Sequence, residues 1–425
     1  MKLLLRNGRV IDPSRRVDAV LDVALDGDRI ERVGRNLRVP GATVVDCTKR
    51  VVCPGFIDMH VHLREPGQEW KETIATGLRA AAAGGFTAVA CMPNTVPPND
   101  SRAVTELMMQ LAAEVDGALL HPIGCVSKGQ QGEELAEIGD MVTAGAVAFS
   151  DDGLPVRSSL LMRKALEYTR VFDVPVIDHC EDRELVAGGV IHEGDVSMRT
   201  GLRGWPGVAE DVFVQRDLLL AEYTGGRVHI AHLSTARAAD FVRQAKARGV
   251  RATCEVTPHH LLLTDESAAD YDTNAKMNPP LRAEDDRRGL VRAIKDGTVD
   301  AIATDHAPHH VDEKCVEFSQ APFGVVGLET AVSLCLDRLV RARRVSLGRL
   351  VELFTTGPAR ILKLADRRIA PGCEANLTIL DLGREVRVEA AGFRSKSANS
   401  PFLGWSLRGA PVATVVRGRL VHDVR

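Results

Sequence analysis

Phe56-Ile57-Asp58-Met59-His60-Val61-His62 is the stretch that decides the fold. It is an apolar run of strand length that ends in two histidines. Pro54-Gly55 before it and Glu65-Pro66-Gly67 after it mark turns on either side. Seven further runs have the same character: Phe86 to Met92, Leu119 to Cys125, Ala146 to Phe149, Val174 to Asp178, Val228 to Ala231, Ala252 to Val256 and Val299 to Thr304. Helix-length segments separate them, among them Thr73 to Ala83, Ser101 to Glu114, Leu160 to Val171, Val212 to Tyr223 and Ala236 to Arg248. Buried strands alternating with helices form parallel βαβ units. Eight such units over residues 55–365 predict an α/β protein, a closed (β/α)8 TIM-like barrel with long loops. An open doubly wound sheet is the alternative, but no G-x-G-x-x-G follows the first run.

Outside the barrel, both chain ends read as short strands. Leu3-Leu4-Leu5, Val10-Ile11, Val20 to Ala24 and Val44-Val45 are separated by Asn7-Gly8, Asp26-Gly27-Asp28 and Pro40-Gly41. Ala375 to Asp381, Glu385 to Val388 and Val412 to Val416 look alike. Neither half is large enough for a core of its own. A small composite β-sandwich domain assembled from residues 1–54 and 366–425 is therefore expected beside the barrel.

Composition limits the partners. Lysine plus arginine total 54 against 57 acidic residues, a net charge of −3, which supplies no basic footprint for nucleic acid and no polybasic segment for a membrane surface. No stretch approaches the roughly 20 apolar residues of a membrane span. Leu3-Leu4-Leu5 gives way at once to Arg6-Asn7-Gly8, too short for a signal-peptide core. Nine cysteines without a C-x-x-C pair predict reduced thiols and a cytoplasmic location. Nucleic acid and a membrane surface are thus not the expected partners.

The chemistry gathers where the apolar runs end. His60 and His62 close the first, Asp151-Asp152 follow the fourth, and Asp178-His179-Cys180-Glu181 ends the fifth. His232 follows the sixth and Asp305-His306 the eighth. In a barrel these ends converge on one face, where active sites are built. His60 and His62 are two apart, so both point to one side of a strand within reach of one metal ion. Imidazole and carboxylate without thiolate suits zinc, with manganese or cobalt as competitors. An isolated H-x-H arises by chance. His60, His62, His179, His232 and Asp305 packed together without metal would carry a large desolvation cost. The remaining polar candidates need no metal. His121 and His229 read as hydrogen-bonded strand residues, His259-His260 as loop polarity, and Cys180 as packing on the opposite face.

At this point the segment from Pro54 to Gly67 resembles the opening signature of the cyclic amidohydrolases, and of the dihydroorotase family in particular. Thr304-Asp305-His306-Ala307-Pro308-His309 resembles their second signature. The likeness runs the length of the chain and is greatest to the long bacterial type. It implies reversible cyclisation of N-carbamoyl-L-aspartate to dihydroorotate with loss of water, the third step of pyrimidine (UMP) synthesis. Many relatives bridge two metals with a carboxylated lysine at the end of the fourth strand. Here that place reads Phe149-Ser150-Asp151-Asp152-Gly153, and no lysine comes before Lys164. The resemblance implies that Asp152 is the bridge, beside a hydroxide, between two Zn2+ ions per subunit held also by His60, His62, His179, His232 and Asp305.

Asp305 is expected to be the catalytic proton carrier between water and the ring nitrogen. Arg64, two residues beyond His62, offers a bidentate fork for the substrate carboxylate, against the plainer reading of a salt bridge to Glu65 or Glu69. The resemblance adds His62, Leu63, Asn94, Asn278, His309, Phe323 and Gly324 as substrate contacts. The segment from Ala307 to Pro322 is long, polar and without helical period, which predicts a flap over the site. The runners-up are an allantoinase, a dihydropyrimidinase or hydantoinase, and an inactive structural partner of aspartate transcarbamoylase. Arg64 with Asp152 weighs against the other enzymes, and the intact ligand set against the inactive partner. A homodimer and a complex with aspartate transcarbamoylase are both left open.

Overall fold

The structure is a computed structural model that describes residues 2–365 and 367–425. Residue 366, the expected start of the second part of the β domain, lies outside the described residues, as does residue 1.

Eight strands form one parallel sheet in chain order: β1 (Phe56–Val61), β2 (Phe86–Cys91), β3 (Leu119–Gly124), β4 (Ala148–Phe149), β5 (Val176–Asp178), β6 (Val228–Ile230), β7 (Ala252–Val256) and β8 (Ala301–Ile302). The seam between β8 and β1 is closed by His306. Its backbone makes a parallel bridge to Val61, and its carbonyl accepts from His62 N at 2.8 Å. The expected (β/α)8 barrel is formed.

Three strands, β4, β5 and β8, start two residues later than their apolar runs. β5 starts at Val176 because Pro175 has no N–H to give a ladder. The amides of Ala146 and Val299 bond back to the helices before them, to Met141 O and Ala293 O, and so never join β4 and β8. The helices lie where the spacing predicts, for example Ile74–Ala83, Arg102–Ala113 and Ala236–Ala247. The last of these starts at Thr235, whose Oγ1 accepts from Ala238 N at 3.0 Å and satisfies a free helix-end donor.

Met59, Ala90, Ile123, Ala148, Ile177, Ala231 and Ala303 fill the barrel interior, with Ile361 and Leu362 packed against them. Alanine at four of these seven interior positions accords with a sequence holding 4% aromatics. Burying each larger aliphatic is worth about 1.5–3 kcal/mol. The interior phase then changes within β1. Asp58 pairs with Val89 and Val61 with Cys91, so three residues on β1 span what two span on β2. This bulge turns both His60 and His62 inward, directly above Met59.

The chain ends meet in a second sheet of eight strands. Lys2–Asp12 pairs with Val17–Asp26 on one side and with Thr43–Asp46 and Val51–Pro54 on the other. Val51–Pro54 pairs in turn with Leu377–Arg387, which continues to Ser406–Val416. The sheet curls back on itself, since Ile30 bonds through its backbone to Gly372 and Cys373. Leu3, Leu5, Val23, Ile30, Leu377, Ile379 and Val415 share the enclosed core. All nine cysteines are free, and among the described residues no helix is long and apolar enough to cross a membrane.

Candidate metal centre and active site

Six side chains meet inside the barrel, above the carboxyl ends of its strands. His60 lies in β1 and His62 just past its end, while Asp152 follows β4, His179 follows β5, His232 follows β6 and Asp305 follows β8. Asp152 lies between two pairs of imidazoles. Its Oδ2 is 3.4 Å from Nε2 of His60 and 3.4 Å from Nε2 of His62. Its Oδ1 is 3.5 Å from Nδ1 of His179 and 3.4 Å from Nε2 of His232. Asp305 joins only the first pair, with Oδ1 at 3.5 Å from His60 and 3.1 Å from His62. Three residues of the site hold left-handed backbone: Arg64 at φ 62°, His232 at 28° and Asp305 at 48°. Such conformations cost on the order of 1–3 kcal/mol each and persist where surrounding structure fixes them.

The outer ring nitrogens have partners of their own. His60 Nδ1 donates to Glu255 Oε1 at 2.7 Å, and His62 Nδ1 to Asn94 Oδ1 at 2.7 Å. His179 Nε2 donates to Glu181 Oε2 at 3.0 Å. These partners assign the tautomers, so the inner nitrogens of all three rings present lone pairs to carboxylate oxygens. His60 Nε2 and Asp152 Oδ1 are buried with no hydrogen-bond partner. Lone pairs facing lone pairs at these distances call for a cation between them, and the donor set fits one. Burial opposes charge here, yet Asp152 and Glu255 raise His60 well above its ordinary value, and Asp152 and Glu181 push His179 up to about 10. The rings thus take up positive charge that a bound cation would replace, and they hold the Asp152 carboxyl well below the usual range and Asp305 down to about 2. Two metal-sized groupings result, His60–His62–Asp305 and His60–Asp152–His232. A third cluster, Asp178, Cys180 and Asp217, already has its cation, since Arg216 lies 3.5 and 2.7 Å from the two carboxylates.

The cluster forms the floor of a cavity of about 290 Å³ whose wall includes Arg64, Asn94, Asn278, His309, Phe323 and Gly324. A larger cleft of about 600 Å³, lined by Arg287, Arg338, Arg341 and Arg344, contains no histidine or metal grouping. Arg64 is buried, gives Nε to Pro308 O at 3.2 Å and lies 3.4 Å from His309 Nε2. Glu65 and Glu69 instead accept from backbone amides of Ile74 and Gly67, so neither neutralises it. Burial and Arg64 push His309 down to about 2, which keeps its ring neutral. Asn278 donates to Glu181 Oε2 at 3.4 Å while its Oδ1 is buried without a partner.

Leu63 is the expected substrate residue whose side chain does not line the cavity. Two residues past the end of β1, its side chain packs in the core beside Gly77. The expected flap also takes a different form. A helical turn, Val311–Lys314, interrupts it, and two buried lysines hold its backbone. Lys314 Nζ donates to Thr273 O at 2.9 Å and Pro322 O at 2.7 Å, and Lys276 Nζ to Ser319 O at 3.0 Å and Ala321 O at 2.6 Å. Sequence reasoning misses Glu255 as an orienting group. The available signal is an acid inside the apolar run of β7, and its two oxygens serve His60 and His229.

Comparison with known proteins agrees with this geometry. Residues 49–238 match the family described as Dihydro-orotase-like, and residues 212–422 the Amidohydrolase family. A dihydroorotase of Citrifermentans bemidjiense is 52% identical over 424 residues, covering 100% of both chains. One from Pelotomaculum thermopropionicum is 52% identical over 426 residues, covering 100% of this chain and 99% of its own. Among solved structures, the L-hydantoinase (dihydropyrimidinase) of Arthrobacter aurescens superposes with a TM-score of 0.88 at 25% identity, covering 99% of this chain and 96% of that one.

Proposed function

Because the chain belongs to the dihydroorotase family of amidohydrolases, we propose that its barrel mouth binds two Zn2+ ions and catalyses the reversible conversion of N-carbamoyl-L-aspartate to dihydroorotate. His60, His62 and Asp305 would hold one ion and His179 and His232 the other, with Asp152 shared. The observation that carries this reading is the pair of Asp152 oxygens, each turned to a different histidine pair. A carboxylate so placed replaces a carboxylated lysine without changing the charge of the bridge.

Bound zinc supplies Lewis acidity toward the ring carbonyl and lowers the pKa of water. The remaining work belongs to the chain. Arg64 binds the ring carboxylate, since it is buried, fixed at Nε and unpaired with Glu65 or Glu69. His309 and Asn278 each keep one buried polar atom free for the substrate, Nδ1 and Oδ1. Asp305 takes a proton from water as its oxygen adds to the ring carbonyl, then gives it to the ring nitrogen as the C–N bond breaks. In the direction of synthesis the same proton travels back and water leaves. Asn94 and Glu255 hold the His62 and His60 rings in the required tautomers.

Ring-opening rates with L-dihydroorotate, hydantoin and allantoin, measured on zinc-loaded protein, test the reading. Dihydroorotate is expected to be turned over fastest. Absence of its turnover, or faster opening of hydantoin, would reject the assignment.

A further inference from the structure

The segment from Ala307 to Gly324 carries His309, Phe323 and Gly324, and its hydrogen bonds lead out of the barrel. They end on Asn399, which is buried and lies between the last two long strands, Leu377–Arg387 and Ser406–Val416. Its Oδ1 accepts from His309 N at 3.0 Å. Its Nδ2 donates to Ala307 O at 3.1 Å and to Gly324 O at 3.0 Å. Its backbone carbonyl accepts from Val326 N at 2.9 Å. One side chain thus ties both ends of the segment together. Among side chains of this size only a neutral amide supplies one acceptor and two donors in that order.

The two ends meet without slack. A Cβ on Gly324, whose φ is +130°, would lie 2.7 Å from Ala307 Cβ and 3.3 Å from His309 Nε2. His309 Nε2 in turn donates to Phe323 O at 2.8 Å. The imidazole is therefore fixed at its backbone by Asn399 and at its ring by Phe323. Any shift of one end of the segment displaces the other.

We propose that Asn399 is a positioning residue for substrate binding, which holds His309 and Phe323–Gly324 at the spacing the substrate requires. The inference rests on the reading above that these groups touch substrate. Asn399 contacts no candidate metal ligand, so its effect falls on binding rather than on the reacting bond.

Steady-state kinetics of metal-loaded Asn399→Ala and Asn399→Asp with dihydroorotate test it, alongside metal content and hydrogen exchange of the 306–326 region. The Asp variant keeps the acceptor for His309 N and loses both donors, and it carries the test if the Ala variant does not fold. The expected result is a KM raised about tenfold or more, consistent with loss of buried hydrogen bonds. The turnover number should stay within about threefold, metal content should be unchanged, and exchange should quicken at 307–309 and 324–326. A variant with full metal and unchanged KM overturns the proposal, even if its melting temperature falls. His309→Ala serves as the control. If it raises KM while the Asn399 variants do not, the positioning role alone fails; if it too leaves KM unchanged, the substrate reading of the segment fails with it.

Discussion

The carboxylate of Glu255 lies 2.7 Å from Nδ1 of His60, on the side of the ring away from Asp152. That contact decides which nitrogen carries the proton and aims the other at the metal centre. Replacing Glu255 with Gln keeps the volume but loses the charge that secures the tautomer. Zinc retention against a chelator should weaken about 10–100-fold. Retention equal to that of the unaltered chain would show that His60 needs no orienting charge.

Asp152→Asn tests the bridge. The variant is isosteric, but the amide nitrogen cannot ligate, so one histidine pair loses its share of the carboxylate. Bound zinc measured by elemental analysis should fall from about two to about one per chain. A full complement of two would dismiss Asp152 as a necessary ligand.

Asp305→Asn addresses the proton. The barrel should fold with little change in melting temperature, while turnover of dihydroorotate drops about 10²–10⁴-fold. Unimpaired turnover would remove Asp305 from the mechanism.

Arg64→Lys separates geometry from charge. A point charge cannot reproduce the planar fork. The KM for dihydroorotate should rise about tenfold or more, whereas that for hydantoin, which has no ring carboxylate, should hardly move. A parallel rise for both substrates would assign Arg64 to the wall of the cavity and not to carboxylate recognition.

Lys314 gives a pH signature of stability. Burial first, then Lys276, pushes its pKa down to about 7, well below that of an unfolded lysine near 10.4. Between those values the unfolded chain binds more protons than the folded one, so stability gains with rising pH. Below about pH 7 both states are protonated and the full penalty is present. Lys314→Met lacks this dependence. The melting temperature of the natural chain relative to the variant should therefore climb from pH 7 to pH 9.5, and a constant difference would refute the shift.

How much is legible in the sequence depends on where each signal sits. The strand ends reveal the candidate ligands directly, because in a barrel a polar residue that closes an apolar run faces the mouth. The H-x-H spacing places His60 and His62 on one side of β1. It does not say which side, because the bulge between Asp58 and Val61 has no local turn residue to announce it. Leu63 is named by the resemblance alone, and its side chain lies in the core. Glu255 is visible as an acid among apolar neighbours, yet a buried ion-pair partner leaves the same mark. Asn399 stands 90 residues from His309 in the chain, and no pattern in one sequence links them. Residues 307–322 likewise read as a flap because Lys276 and Lys314, which fasten the segment, look like surface charges until their carbonyl partners are seen.

The pairing of the two chain ends has a consequence for synthesis. Cys53 Sγ meets the carbonyl of Thr378, 325 residues further on. A ribosome delivers the amino-terminal strands first, and every barrel strand emerges before their missing neighbour exists. Val51–Pro54 must therefore wait with an open edge for nearly the whole translation of the protein. The nascent chain passes through a stage in which the barrel can close while the outer sheet is still incomplete. That waiting edge is where a chaperone, or a second nascent chain, finds its opportunity.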